Sequence, residues 1–190
     1  MHRRTCVTLL AGAIVAPALA RSSLAQGAGM SRVTAYAFSF KALKTGDIRL
    51  SEFAGKPILV VNTASLCGYT PQYAGLQALW TRYRDRRLMI IAVPSNDFGG
   101  QEPGGEAEIG HTAHQYGIGF PVADKVSVKT PPPPPFYRWA AIERPLDTPR
   151  WNFHKYLVGR DGHVAAVFPS AVEPDDPRVI AAIERELSGA

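Results

Sequence analysis

Thiols are scarce in this chain: among 190 residues only Cys6 and Cys67 carry one. A framework of several disulfides is therefore excluded. Long apolar runs are missing too. Nothing approaches the roughly 20 consecutive apolar residues that a membrane-spanning helix needs, and the longest candidate, residues 6–20, is interrupted by Gly12 and Pro17. Acidic residues are absent before Asp47, and beyond the N-terminus charge is nearly balanced. The formal +5 falls to +2 once residues 1–26 are set aside, with 18 basic against 16 acidic residues. The basic pI is thus no argument for a nucleic-acid partner.

What is present suffices for a folded core. Hydrophobic residues make up 46% of the chain and aromatic residues 9%, enough apolar surface to offset the entropy of ordering. The length fits one domain. The N-terminus reads as an address. His2-Arg3-Arg4 is a positive stretch, an apolar segment follows, and Ala18-Leu19-Ala20 and Ser23-Leu24-Ala25 offer small-residue cleavage sites. We expect residues 1–25 to be a cleaved export signal, by the general secretory or the twin-arginine route. Residues 26–190 would then form a single exported domain, periplasmic or secreted. Ala13 stands where a lipoprotein signal places cysteine, so no lipid anchor is expected.

Loss of the leader leaves Cys67 as the one thiol, in a compartment where cysteines usually pair. Such a residue is either a buried, inert hydrophobe or a group kept for its reactivity. Its surroundings favour reactivity. Residues 57–63 are a short β-branched run, as in a strand buried on both faces. From Tyr73, the spacing of Leu76, Leu79, Trp80 and Tyr83 predicts an amphipathic helix to about Asp85, and residues 88–93 read as a second buried strand. This is a βαβ unit with a parallel strand pair. Cys67 falls in the loop from strand to helix, where active groups of α/β sheets collect and unpaired helical N–H groups favour a thiolate.

Further elements complete the plan. Residues 36–50 alternate as a hairpin around Thr45-Gly46-Asp47. Residues 106–116 are weakly helical, the proline run 131–135 leads into a short helix over 136–142, strands over 153–158 and 163–168 flank Gly159-Arg160-Asp161-Gly162, and residues 177–187 form a last helix with Val179, Ile180, Ile183 and Leu187 inward. The order ββ, βαβ, ββα predicts an α/β protein with a thioredoxin-like fold: a central mixed sheet flanked by helices, with an N-terminal hairpin.

Three segments carry a resemblance. Val61-Asn62-Thr63-Ala64-Ser65-Leu66-Cys67-Gly68-Tyr69-Thr70-Pro71-Gln72-Tyr73 resembles the active-site signature of the glutathione peroxidase family in its cysteine form. Pro94-Ser95-Asn96-Asp97-Phe98-Gly99-Gly100-Gln101-Glu102-Pro103-Gly104 is similar to that family's second signature, and Trp151-Asn152-Phe153 with residues 156–162 to its third. The resemblance implies a thiol-dependent peroxidase acting on hydrogen peroxide and organic or lipid hydroperoxides, with a catalytic tetrad of Cys67, Gln101, Trp151 and Asn152. It implies no cofactor beyond an external thiol as co-substrate, glutathione or a thioredoxin-like reductant. The types suit the chemistry: two amide NH2 groups and an indole N–H can hold a thiolate and align a peroxide. None is a proton store, so a proton must be relayed from water or the peroxide.

Departures from the family pattern bear on mechanism. Family members that use thioredoxin carry a second cysteine near residues 111–114, where His111-Thr112-Ala113-His114 stands here, and Ser95 replaces another cysteine. A sulfenic acid on Cys67 therefore has no internal thiol to meet, which predicts a one-Cys cycle. Asp97 replaces a glutamine and would oppose a thiolate if it faced Cys67. About a dozen residues join Trp139 to Trp151, where tetrameric members have a longer insertion, so a monomer is expected. His111 and His114 lack a third ligand nearby and suggest no metal site. The arginines at positions 82, 84, 86 and 87 read as a solvated face, and the proline run as a stiff connector. Two other readings remain: a monothiol thiol-disulfide oxidoreductase, since Thr70 stands where Cys-x-x-Cys needs its second cysteine, and a non-catalytic peroxide sensor.

Overall fold

The computed structural model describes residues 32–189, so the expected leader, with Cys6 and both cleavage sites, lies outside the described residues. The β-branched run forms β3 (Ile58–Thr63), and all six of its residues are buried. Alternation splits it between two cores. Leu59 and Val61 face one, with residues of α1 (Gln72–Tyr83) and α4 (Pro177–Ser188). Ile58 and Val60 face the other, with α3 (Pro135–Glu143) and the hairpin of β1 (Ser39–Lys41) and β2 (Asp47–Arg49). A strand apolar on both sides must lie inside its sheet.

It does. The sheet order is β4-β3-β5-β6, with β4 at Met89–Pro94, β5 at Lys155–Val158 and β6 at Val164–Phe168. β3 and β4 are parallel, with Ile58 opposite Met89, whereas β3 and β5 run antiparallel, with Ile58 opposite Val158. The fold is thioredoxin-like, with helices on both faces. The hairpin is a separate two-stranded sheet, tied to the body through an isolated bridge from Ala42 to Ala123. The weakly helical stretch is α2 (Glu106–Gln115).

Differences from the sequence reading are local. α1 begins one residue after Pro71, and Trp80 is only half-buried, packing its ring on Phe120 and under the Arg84 guanidinium. Val179 and Ile183 of α4 are buried as expected, while Ile180 and Leu187 lie at the core's margin. β5 starts two residues later than its apolar run, because Phe153 takes a left-handed conformation with φ of 63°. Among the described residues no helix is long and apolar enough to cross a membrane.

Candidate active site

Strand directions bring three loops to one edge of the sheet. The carboxyl ends of parallel β3 and β4 and the start of antiparallel β5 lie side by side. The loop after β3 carries Cys67, the loop after β4 carries Gln101, and the segment before β5 carries Trp151 and Asn152.

The Cys67 loop is tied by its own side chains. Thr70 Oγ1 accepts the Cys67 N–H at 3.0 Å and donates to the Ala64 carbonyl at 2.9 Å. The Tyr69 N–H donates to Cys67 Sγ at 3.4 Å. This donor belongs to the loop, three residues ahead of α1, whereas the N–H groups of Gln72, Tyr73 and Ala74 that open the helix are taken by the Tyr69, Thr70 and Pro71 carbonyls and not by the sulfur. Cys67 is buried, 7% exposed, between the open Leu66 and Gly68.

Hydrogen bonds join this loop to the other two. The Leu66 N–H donates to the Gln101 carbonyl at 3.0 Å, and Ser65 Oγ donates to Glu102 Oε2 at 3.1 Å. Asn152, fully buried, donates from Nδ2 to Gln101 Oε1 at 2.9 Å and to the Phe98 carbonyl at 3.3 Å. Both hydrogens of that amide are engaged, so Asn152 acts on Gln101 and does not present a free NH2 to the sulfur. With Oε1 facing Asn152, the Gln101 NH2 is turned the other way. Trp151, 39% exposed, lays its ring against Phe98 at 6.2 Å between centroids. Gly99 admits it: the backbone there has φ of 71°, and a Cβ would stand 3.2 Å from the indole. The four residues expected to act together thus lie on mutually bonded loops, while the hydrogen bond to Sγ itself comes from Tyr69.

Three supporting residues escaped the sequence reading. Asn62, in the middle of the buried sheet, donates from Nδ2 to the Trp151 carbonyl at 3.1 Å and accepts the Phe153 N–H on its backbone oxygen at 2.6 Å. It fixes the segment on which Trp151 and Asn152 sit. An amide directly after four apolar residues of a buried strand was its signal. Thr70 had no signal beyond its place in the loop. Glu102 stood beside Gln101 and was passed over; it is 1% exposed, burial raises its carboxyl above the usual range, and its Oε1 has no partner.

The Asp97 carboxylate is engaged by the segment of residues 127–130. Its carboxylate accepts from Ser127 Oγ at 2.9 Å, the Lys129 N–H at 2.6 Å and Thr130 Oγ1 at 3.2 Å. Burial works against the charge, yet these bonds hold the carboxyl below its ordinary pKa. The arginines at the end of α1 sit on Tyr83 and Trp80 and beside Glu184.

Lys155 braces the same edge from behind. Fully buried, its Nζ donates to Gln72 Oε1, the Phe153 carbonyl and the Val172 carbonyl at 2.7, 2.8 and 2.7 Å. Burial lowers its pKa to about 8, so at neutral pH it is an ammonium with all three hydrogens used. It links the first residue of α1 to the segment that holds Asn152.

Comparison with known proteins is consistent with this arrangement. A family model described as glutathione peroxidase matches residues 35–141. The hydroperoxy fatty acid reductase gpx1 of Synechocystis is 41% identical over 164 residues, covering 81% of this chain and 96% of its own. The glutathione peroxidase-like peroxiredoxin gpx1 of Schizosaccharomyces pombe is 43% identical over 129 residues, covering 66% and 82%. The crystal structure of Trgpx in apo form superposes with a TM-score of 0.65 at 31% identity, covering 82% of this chain and 99% of that one.

Proposed function

Since the chain belongs to the glutathione peroxidase family and is a thiol-dependent peroxidase, we propose that Cys67 is its nucleophile and works by a one-Cys cycle. The Cys67 thiolate attacks the terminal oxygen of hydrogen peroxide or an organic hydroperoxide, the O–O bond breaks, and the sulfur becomes sulfenic acid while water protonates the departing alkoxide. The Gln101 NH2 and the Trp151 N–H are the donors that align the peroxide, and Asn152 holds Gln101 in position. An external thiol then attacks the sulfenic acid, releasing water and leaving a mixed disulfide. A second thiol releases the reduced enzyme and a disulfide of the two reductants. The chain's other cysteine, Cys6, lies in the expected leader, so both reducing thiols come from outside: glutathione, another small thiol or a thioredoxin-like protein. In this reading the enzyme uses no cofactor and acts as a monomer in an exported compartment.

The observation that carries the proposal is the convergence of three loops: Leu66 bonded to Gln101, and Gln101 bonded to Asn152. Turnover of cumene hydroperoxide with several thiols tests it. Replacing Cys67 by serine should lower turnover by about 10³-fold or more with an unchanged circular dichroism spectrum. Retained turnover would remove Cys67 from the mechanism, and a single oxidation without turnover in the wild-type protein would mark a sensor instead.

A further inference from the structure

Lys155 enters the sheet at β5, in a place where a charge is costly. It stands opposite Val61 of β3 and Phe168 of β6, so its side chain leaves the sheet into the layer that holds Cys67, Tyr73, Phe153 and Val172. Its three hydrogens go to three separate pieces of chain. Gln72 opens α1, the helix entered from the Cys67 loop; Phe153 follows Asn152; Val172 leads into α4. Gln72 is fixed at its other end as well, where Nε2 donates to the Ser170 carbonyl at 2.7 Å and to Glu173 Oε1 at 3.2 Å. Phe153 is held twice too, its N–H by the Asn62 carbonyl and its own carbonyl by Lys155. One ammonium thus spans the gap between the helix behind the nucleophile and the segment that carries Trp151 and Asn152.

We propose that Lys155 is a positioning residue for the oxidation of Cys67: its hydrogen bonds set the spacing between the Cys67 loop and the segment of Trp151 and Asn152, and so the aim of Gln101 and Trp151 at the peroxide. The proposal rests on the one-Cys cycle above and adds to it a residue whose hydrogens are all spent on other groups. Three acceptors need three donors, and only the ammonium has three. The amine has two hydrogens and a lone pair, which repels whichever oxygen it then faces. Burial brings the change down to about pH 8, with the Glu173 carboxylate, across Gln72, working the other way. The other titratable groups beside it do not change there: burial keeps His154 neutral down to about 4 and pushes the Tyr73 hydroxyl up. Below that pH the brace is whole, and above it one of its three bonds is lost. A displacement of roughly 1 Å in an aligning group costs up to about a hundredfold in rate. Resolution of the mixed disulfide involves no peroxide oxygen and does not need that aim.

Oxidation of the reduced protein by cumene hydroperoxide, followed by rapid quench and intact mass from neutral to alkaline pH, tests this. Ionisation of Cys67 only raises the rate as pH rises, so a fall has another source. The wild-type rate should fall about tenfold across a limb centred at about pH 8, with an unchanged circular dichroism spectrum. Resolution of a preformed mixed disulfide between Cys67 and 2-mercaptoethanol, at matched thiolate concentration, should show no such fall. Glu173→Gln removes the charge that favours the ammonium and should move the limb to lower pH. Lys155→Met should be oxidised about tenfold more slowly than the wild-type protein at neutral pH, with no limb; where it fails to fold, Glu173→Gln carries the test. A level or rising wild-type rate, a limb that Glu173→Gln leaves in place, or one that survives in Lys155→Met would overturn the assignment. So would an equal fall in mixed-disulfide resolution, which would make Lys155 a brace for the fold alone. If the wild-type protein forms no sulfenic acid at any pH, the one-Cys cycle itself fails, and the positioning role falls with it.

Discussion

Asn152 and His154 stand two residues apart, and each is buried with one polar atom lacking a partner: Oδ1 of the first, Nε2 of the second. Asn152 uses its amide hydrogens to aim Gln101, so its contribution to peroxide cleavage passes through that neighbour. His154 has a different consequence. Burial first, and the charge of Lys155 second, lower its pKa from 6.5 to about 4. Between those values the unfolded chain binds a proton that the folded protein does not. The stability from keeping this ring neutral is therefore whole above pH 6.5 and is lost as pH falls to 4, by about 3 kcal/mol in full. Urea denaturation at stepped pH should show that loss in the wild-type protein and a shallower one in His154→Gln, whose side chain does not titrate. Parallel curves would contradict the assignment.

Elements were legible where their pattern was local. The stripe of Leu76, Leu79 and Tyr83 foretold α1, and the β-branched run foretold the central β3. Ends were not legible where tertiary contacts set them. The late start of β5 follows from the left-handed Phe153, whose N–H is taken by Asn62 from another strand, and no local signal in residues 151–155 announces that bond. Arg87 is a second such place. It turns the chain from α1 into β4 with φ of 79° and is exposed, so an L side chain occupies a conformation suited to glycine. Arg87→Gly should therefore raise stability by about 1 kcal/mol, read as a shift in the urea midpoint. A drop in stability would mean that the Arg87 side chain does more than its exposed position suggests.

At the scale of the molecule, Lys155 holds the site's halves together. It joins the start of α1, the segment carrying Trp151 and Asn152, and the approach to α4 at Val172. Lys155→Met would leave three buried acceptors without donors, and should destabilise the protein by roughly 3 kcal/mol or more on denaturation with urea. A change below about 0.5 kcal/mol would show that water or neighbouring groups replace the ammonium. Nothing in the sequence marked this role, since a lysine in a short strand ordinarily points to solvent. The grouping of Cys67, Gln101, Trp151 and Asn152 was legible only through the resemblance to the three family signatures; that their loops meet at one sheet edge follows from the pairing of β3 with both β4 and β5, which no local pattern announces. The division of labour among them was not legible, because it depends on which way two amides face.

The central claim is that Cys67 alone cycles through sulfenic acid and is rescued from outside. Intact mass of the protein lacking residues 1–25 after peroxide treatment tests it most directly. Peroxide without reductant should add oxygen atoms to Cys67 stepwise and inactivate the enzyme, and a small thiol added early should trap a mixed disulfide on Cys67 that a second thiol releases. A disulfide-linked dimer through Cys67 as the turning-over intermediate, or no adduct with any thiol, would contradict the account.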